Sequence, residues 1–300
     1  MIVLAVPVAG APHQVVADSL DIRSQLIPGR CVSLVPGVRR IVAGNAGMMT
    51  GPGTNTYLFG LREVAVLDPG PDDTGHLEAI LNAAGSAVRW VIVTHTHPDH
   101  SPLARRLAMI TGARVIGLPP PGDGRQDTAF TPQQLPADGE RLRLSECELT
   151  VIHTPGHASN CVCYLMESQR LLFTGDHVLE GVSPVILPPD GDMSAYIHSL
   201  DKLMAHDFER IAPGHGGVME RGKEVVAKLR AHRLAREDKV VRGLRRLNAA
   251  VLDALIPVVY DDVPADRHSW ARLTLEAHLI KLAREGRAGE RDGVWRLTES

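Results

Sequence analysis

Short apolar segments recur through the first two thirds of the chain, and each is bounded by glycine, proline or polar residues. Their length, close to the 4–8 residues of a typical strand, and their β-branched content favour β-strands over helices. The segments are CVSLVPGVRRIVA, TNTYLFG, EVAVLDPG, VRWVIVTH, ARVIGL, CELTVIHTPG, CVCYLMES and RLLFTGD, which begin at residues 31, 54, 63, 88, 113, 147, 161 and 170. The early segments follow one another closely enough to form hairpins, so a mixed sheet is expected rather than a purely parallel one.

Helical patterns separate some of these predicted strands. They cover residues 73–84, 102–110 and 194–205. In the last of them, apolar side chains recur at steps of three and four residues, which is the spacing of one helix face. Strands that alternate with helices predict an α/β fold.

The pattern changes after residue 218. A long charged helix is predicted over residues 223–247, and a second helix over residues 270–285. A hairpin follows, with Asp292 and Gly293 at its turn. We therefore predict a first domain over residues 1–218 and a smaller, helical domain over residues 219–300.

The composition is that of a globular protein, with 44% hydrophobic and 22% charged residues and a net charge of −3. A net negative charge argues against a protein that coats nucleic acid, although the last 82 residues hold 17 Lys and Arg against 13 Asp and Glu. The apolar first residues lack the basic segment of a secretory signal. No apolar run reaches the ~20 residues that a membrane span needs. The four cysteines form no CxxC pair, so a reduced, cytoplasmic location without membrane insertion is expected.

Three histidines and an aspartate are concentrated in the segment THTHPDH, residues 94–100. His95 and His97 alternate along an extended segment, so their rings leave the chain on the same side. Asp99 and His100 follow after Pro98 has turned the chain. Imidazoles and carboxylates that share one partly buried cleft need a compensating partner, and zinc accepts both kinds of ligand. The segment therefore indicates a site for one or two zinc ions.

Three further candidate ligands each follow an apolar segment and a small turn. They are His157 in VIHTPGH, Asp176 in LLFTGD and His215 in IAPGH. Taken singly, a histidine in such a place is more often structural. Together with the THTHPDH segment, these residues complete a set of five histidines and two aspartates, which suits two metal ions.

The ordered motifs HTHPDH, TPGH, TGD and PGHG resemble those of the metallo-β-lactamase superfamily. The resemblance implies an αββα sandwich with the metals at one edge of its sheets. It also implies that His95, His97 and His157 hold the first metal, that Asp99, His100 and His215 hold the second, and that Asp176 bridges both.

Within the superfamily, an intact His97 together with a bridging Asp176 is similar to the glyoxalase II or RNase Z type of site. The motifs GPGTNTYLFG, DPG, HTHPDHSP, TPGHASN and GDHVLEG, with the tail LEAHLIKLAREGRA, resemble the β-lactamase-like protein 2 family. That resemblance implies a small winged-helix-like C-terminal domain. Relatives often carry a further histidine where this chain has Cys161. We expect no lost metal ligand there, but a role of that position near the substrate is open.

The ligand set predicts a hydrolase. Two zinc ions can activate a shared water without a separate protein base, and Asp99 would orient that nucleophile. The same ligands accept iron or manganese. Such a site could cleave a small or carrier-bound ester or thioester, as glyoxalase II-like hydrolases or acyl-carrier thioesterases do. The alternative is a metal-dependent endoribonuclease that acts on single-stranded RNA.

The choice of substrate depends on weaker features. Six basic side chains recur at steps of three or four residues along the helix predicted over residues 223–247: Arg230, Arg233, Arg236, Lys239, Arg242 and Arg246. We interpret them as a solvated helix face. The alternative is a track for phosphates of RNA, coenzyme A or pantetheine. Aromatic residues make up only 4% of the chain, which leaves few stacking platforms for single-stranded RNA.

The C-terminal domain and one loop complete the predicted site. The helix over residues 270–285 is apolar on two sides, which favours docking against the hydrolase domain over DNA binding. The proline-rich loop over residues 178–192 either covers the substrate or bridges two elements. On the opposite wall, Met48 and Met49 could offer apolar contact.

Overall fold

The computed structural model of the protein describes residues 26–298, and the apolar first segment of the sequence lies outside this range. A six-stranded sheet forms its first half, in the order β1-β2-β3-β4-β5-β6. Neighbouring strands are antiparallel up to β4, and β4, β5 and β6 are parallel. The strands are β1 Cys31–Val35, β2 Val38–Val42, β3 Asn55–Phe59, β4 Val64–Leu67, β5 Val88–Ile92 and β6 Arg114–Ile116.

A five-stranded sheet follows, in the order β11-β10-β9-β8-β7. Its strands pair antiparallel except β10 with β11. They are β7 Arg141–Arg143, β8 Glu148–His153, β9 Val162–Met166, β10 Leu171–Gly175 and β11 Arg210–Pro213. The predicted mixed character of the sheets is confirmed. The short strand β7 was not predicted, because only its middle residue is buried.

The two sheets pack face to face, and their core is rich in aromatic residues. Phe173 of β10 meets Tyr57 and Phe59 of β3 edge to face, with ring centroids 5.0 and 4.9 Å apart. Leu149 and Tyr164 of the second sheet are buried in the same cluster. Burial of these apolar faces between the sheets is the main favourable contribution to the folding of this region.

Helices cover the outer face of each sheet. The first sheet carries α1 Thr74–Ala84 and α2 Leu103–Thr111, and the second carries α3 Met193–Met204 and α4 Gly222–Leu247. The first and third helices begin where an aspartate side chain, Asp73 or Asp192, accepts a hydrogen bond from a backbone N–H in the first turn. The four layers form the predicted αββα sandwich.

A small domain follows α4. It consists of α5 Leu252–Val259, α6 His268–Arg284 and a three-stranded sheet in the order β12-β14-β13. The strands are β12 Ala250–Val251, β13 Ala288–Arg291 and β14 Val294–Leu297. The predicted hairpin is confirmed, since Asp292 and Gly293 at its turn both have positive φ, 53° and 78°.

The long helix α4 belongs to both cores. Val226 and Leu229 in its first half pack against α3 and the second sheet. Val240 and Leu244 in its second half pack against α5 and α6. The domain boundary near residue 218 stays a prediction. The first half of α4 follows this boundary in the chain, but its apolar side chains pack into the core of the first domain.

The predicted solvated basic face of α4 is wrong for two of its six members. Arg233 and Arg236 are only 3% and 4% exposed. Two other members are paired, Arg230 with Asp201 and Lys239 with Asp261. Arg233 and Arg236 therefore pack under neighbouring elements and interrupt the basic face, whereas Arg242 and Arg246 are exposed. Among residues 26–298, no helix is both long and apolar enough to cross a membrane.

Candidate metal centre

Four strand ends meet at one edge of the sandwich. The backbone connects them directly: Val162 N–H donates to the Thr94 carbonyl at 2.8 Å, and Gly214 N–H donates to the Gly175 carbonyl at 2.7 Å. A Cβ at Gly175 would lie 2.4 Å from the Thr94 hydroxyl oxygen, and one at Gly214 would lie 2.4 Å from Asp176 Oδ1. Glycine is therefore required in the TGD and PGH motifs, because the segments approach too closely for any side chain.

The first group of candidate ligands consists of His95, His97 and His157. One ring nitrogen from each lies within 4.8 Å of the others. Nδ1 of His97 and Nε2 of His157 are 3.0 Å apart. Two predicted ligands from one strand end therefore meet a third that follows β8.

The second group consists of Asp99, His100, Asp176 and His215, whose ligand atoms also lie within 4.8 Å of one another. Asp176 lies between the two groups. Its Oδ1 is 3.3 Å from Nε2 of both His100 and His215, whereas its Oδ2 is 3.8 Å from Nε2 of His157. The structure thus brings together all seven residues that the sequence singled out.

Hydrogen bonds to the outer nitrogen of the rings determine which nitrogen faces the centre. The carbonyls of Val185 and Gly53 can only accept, so they take the Nδ1–H of His157 and His215, at 2.7 and 3.2 Å. His100 Nδ1 donates to Asp68 Oδ2 at 3.0 Å. Nε2 of each ring therefore faces the ligand group, which is how protein metal sites orient imidazoles.

Asp68 was not predicted to take part, although it follows β4 as the first residue of the DPG motif. Its carboxylate accepts hydrogen bonds from Thr94 N and Oγ1, at 2.7 and 2.8 Å, as well as from His100. Because the Thr94 hydroxyl donates to Asp68, it accepts from His95 Nδ1 at 3.0 Å. One buried carboxylate therefore orients a histidine in each group. The signal in the sequence was its place directly after the apolar segment EVAVL.

The two groups differ in their electrostatics. Burial, together with the neighbouring His157, lowers the pKa of His97 to about 3, and burial also lowers the pKa of His95 well below its usual value. These rings are neutral, as metal ligands must be. In the second group burial opposes protonation of His215, but Asp176 and Asp99 raise its pKa to about 10. Burial raises the pKa of Asp99, but the nearby His100 and His215 outweigh this effect and lower it to about 2.

The buried polar atoms of this site fit a divalent cation. Nε2 of His95, His100 and His215 and Oδ1 of Asp176 are buried without a hydrogen-bond partner in the described part of the chain. Unsatisfied buried groups are costly and rare, and four that converge on one place call for a ligand. Imidazole nitrogen with carboxylate oxygen is a donor set for zinc, iron or manganese.

Other sequence-derived candidates lie around the centre. Cys161 is buried and belongs to neither ligand group. The loop over residues 178–192 supplies the Val185 carbonyl that orients His157, so it is part of the site. Met48 and Met49 are about half exposed, at 50% and 45%. A cavity of about 320 Å³ lies between this loop and α6, lined by Pro188, Pro189 and Ile280 among others.

Comparison with known families is consistent with this geometry. Residues 49–215 match the metallo-β-lactamase superfamily. The chain belongs to this superfamily. Residues 252–295 of this superfamily member match the β-lactamase-associated winged helix domain, which confirms the predicted second module.

Among curated proteins, the superfamily member is 29% identical over 282 residues to a β-lactamase-like protein 2 homolog of Drosophila melanogaster, which covers 87% of this chain and 92% of that protein. It is 30% identical over 277 residues to the lactamase-like protein adaB of Aspergillus niger, covering 84% and 82%. It is 29% identical over 266 residues to an atrochrysone carboxyl ACP thioesterase of Aspergillus chevalieri, covering 83% and 82%. The protein is therefore a metal-dependent hydrolase, as its superfamily and its thioesterase-named relatives indicate.

Solved structures confirm the fold. A metallo-β-lactamase family protein of Thermus thermophilus superposes with a TM-score of 0.73 at 24% identity, over 89% of this chain and 100% of that one. A β-lactamase domain protein of Burkholderia ambifaria superposes with a TM-score of 0.74 at 21% identity, over 91% and 95%. The αββα sandwich and the C-terminal domain therefore occur together in both.

Proposed function

We propose that the protein is a dinuclear zinc hydrolase that cleaves a carrier-bound or small acyl thioester or ester. The observation that supports two ions is the position of Asp176, whose two oxygens face different groups. Oδ1 lies 3.3 Å from His100 and His215, and Oδ2 lies 3.8 Å from His157. In this proposal His95, His97 and His157 hold one ion, Asp99, His100 and His215 hold the other, and Asp176 contacts both.

A pair of divalent ions at such a site lowers the pKa of water and polarises the carbonyl that is attacked. The role of the protein side chains is to hold the reacting groups in place. Asp99 has about a quarter of its side chain exposed, and its carboxylate lies 3.1 Å from His215 and 3.4 Å from the Thr54 hydroxyl. In our proposal Asp99 accepts a hydrogen bond from the attacking water, orients it, and takes up a proton in a later step.

The preference for a thioester comes from the relatives. The similar protein of Aspergillus chevalieri is named an ACP thioesterase, and so is one of Aspergillus fumigatus that is 28% identical over 279 residues. The alternative of an endoribonuclease loses its main support in this sequence. Arg233 and Arg236 are buried, and Arg230 and Lys239 are paired with aspartates, so the basic residues of α4 do not form a continuous phosphate track.

Parallel assays of the zinc-loaded protein would test this proposal. We expect turnover of an acyl-pantetheine thioester that stops on chelation and in an Asp99→Ala variant, while single-stranded RNA stays intact. Asp207→Asn changes an exposed carboxylate that is paired with Arg170, and serves as the matched control with full activity. Cleavage of RNA that depends on Asp99, with the thioesters intact, would establish the nuclease instead.

A further inference from the structure

His157 depends on the loop over residues 178–192 for its orientation. Its Nδ1–H donates to the Val185 carbonyl at 2.7 Å, so the direction of its Nε2 follows from where that carbonyl lies. Val185 belongs to the proline-rich loop over residues 178–192, which lacks regular secondary structure up to the start of α3. Something outside the loop must therefore hold this carbonyl in place.

Directly before Val185, the loop is held from outside by two neighbouring residues of α4. The Arg233 guanidinium donates to the carbonyl of Pro184, the residue before Val185. Nδ1 of His232 lies 3.2 Å from the Ser183 hydroxyl. The two residues directly before Val185 are thus hydrogen-bonded to a helix that continues into the C-terminal domain.

Arg233 is a buried arginine that is not paired with a carboxylate in the described part of the chain. The residue is 3% exposed, and no carboxylate within the described residues forms an ion pair with it. Instead its guanidinium lies over the Tyr196 ring, 5.2 Å from the centroid. A buried cation without a counter-ion is costly. Arg236, one turn later, has such a counter-ion, since two of its nitrogens contact Asp262 at 2.7 and 3.1 Å.

Tyr196, which faces Arg233, also contacts a residue next to the ligand groups. Its hydroxyl donates to the His177 carbonyl at 2.8 Å, and His177 directly follows Asp176 in the chain. Arg233 therefore contacts two residues that lie next to the site, Pro184 before Val185 and Tyr196, which holds the His177 backbone. It contacts no candidate ligand itself. Its contact to the peptide before Val185 is the more direct of the two.

We propose that Arg233 is a positioning residue for the metal held by His95, His97 and His157, and that it acts through the Pro184 carbonyl and His157. This inference rests on the proposed dinuclear function. It gives the middle of α4 a specific task, because the helix whose second half packs against the C-terminal domain also positions a candidate ligand of the catalytic domain.

Metal affinity tests the proposal without an activity assay. The affinities of both Zn²⁺ ions are measured by competition with a chromophoric chelator in the full chain and in Arg233→Met. We expect one ion to bind about 10–100-fold more weakly, the usual effect of removing an outer partner of a ligand, and the other to change little. Arg230→Met removes a partly exposed arginine of the same helix, paired with Asp201, and should bind both ions as the unchanged protein does.

A double variant shows whether the effect passes through His157. His157→Ala should weaken the same ion, and adding Arg233→Met to it should cause no further loss. If Arg233→Met does not fold, Arg233→Lys replaces it, and the same ion should bind several-fold more weakly because one flexible ammonium holds the carbonyl less firmly. Unchanged affinity for both ions, an equal loss at both, or losses that multiply in the double variant would overturn the proposal.

The outcome is separable from that of the proposed function. If the unchanged protein binds a single ion, the dinuclear proposal is wrong. The comparison of Arg233→Met with the unchanged protein is then made on that ion, and an affinity within twofold would overturn the role of Arg233 as well.

Discussion

Asp68 shows how one residue can organise a site without touching what the site binds. Its carboxylate orients His100 directly and His95 through the Thr94 hydroxyl. Its backbone adopts φ 49°, a conformation that only glycine, asparagine and aspartate adopt readily. Both the short side chain and the charge are thus explained by its position.

Asp68→Asn tests this role, because asparagine tolerates the same backbone conformation and removes only the charge. We expect a metal affinity about 10–100-fold lower with the fold intact, since His100 loses its acceptor and the Thr94 hydroxyl that orients His95 loses the acceptor that fixes it. Titration with a metal-binding dye measures it. Asp72→Asn, at an exposed aspartate paired with Arg106, is the control, and an equal effect there would refute the assignment.

At the residue scale, the sequence was sufficient to find side chains that share a motif. His95, His97, Asp99 and His100 lie within one heptapeptide, and the structure brings His157, Asp176 and His215 to the same place. Asp68, Val185 and Arg233 could not be found in this way. Their contributions depend on hydrogen bonds between segments that are far apart in the chain, and Val185 contributes only a backbone carbonyl.

Among the elements, α1 is fixed to the first sheet by a buried histidine. The Thr56 hydroxyl of β3 donates to the Asp68 carbonyl at 2.6 Å and therefore accepts from His76 Nε2, 2.8 Å away. His76 Nδ1 is buried without a partner. Burial lowers the pKa of His76 to about 4, because a proton on Nδ1 would add an unsolvated charge.

This shift predicts a dependence of stability on pH. The folded pKa of His76 is below the unfolded value of about 6.5, so its contribution is complete above pH 6.5 and is lost as the pH falls towards 4. Between pH 7.5 and 5 the free energy of unfolding should fall by about 2 kcal/mol more in the unchanged protein than in His76→Gln. Urea denaturation of the metal-free proteins at both pH values measures this, and equal losses in the two proteins would contradict the prediction.

Local patterns predicted most elements because strand and helix periodicities differ. The helix α5 escaped prediction since its sequence LDALIPVV is apolar on nearly all sides and contains Pro257, so no periodicity marks it. The orientation of α4 was also beyond the sequence. Its basic residues recur at helical spacing in the sequence. In the structure, Tyr196 covers Arg233, whereas Tyr260 and Asp262 cover Arg236.

For the whole molecule, α4 is the element that joins the two domains. Glu237, on its buried side, lies 2.7 Å from both Lys281 of α6 and Arg287, and Arg284 pairs with Asp192 at the start of α3. The Arg284–Asp192 pair, with Ala277 of α6 buried in the core over the second sheet, confirms the predicted docking of the C-terminal domain against the catalytic one. The first half of α4 meanwhile completes the core over the second sheet.

A fragment that ends at residue 218 tests the predicted domain boundary. We expect it to unfold without cooperativity, because loss of α4 exposes Leu200, Leu203 and Phe208, which the structure buries. Far-UV circular dichroism during urea titration compares it with the full chain. A sharp transition and full metal affinity in the fragment would show that residues 1–218 form an independent domain.

The most direct test of the account is a zinc titration of the metal-free protein in which bound metal and thioester hydrolysis are followed together. The position of Asp176 between two ligand groups predicts that two ions bind and that hydrolysis appears only as the second ion binds. Full activity with one ion bound, or binding of no more than one, would contradict the dinuclear centre.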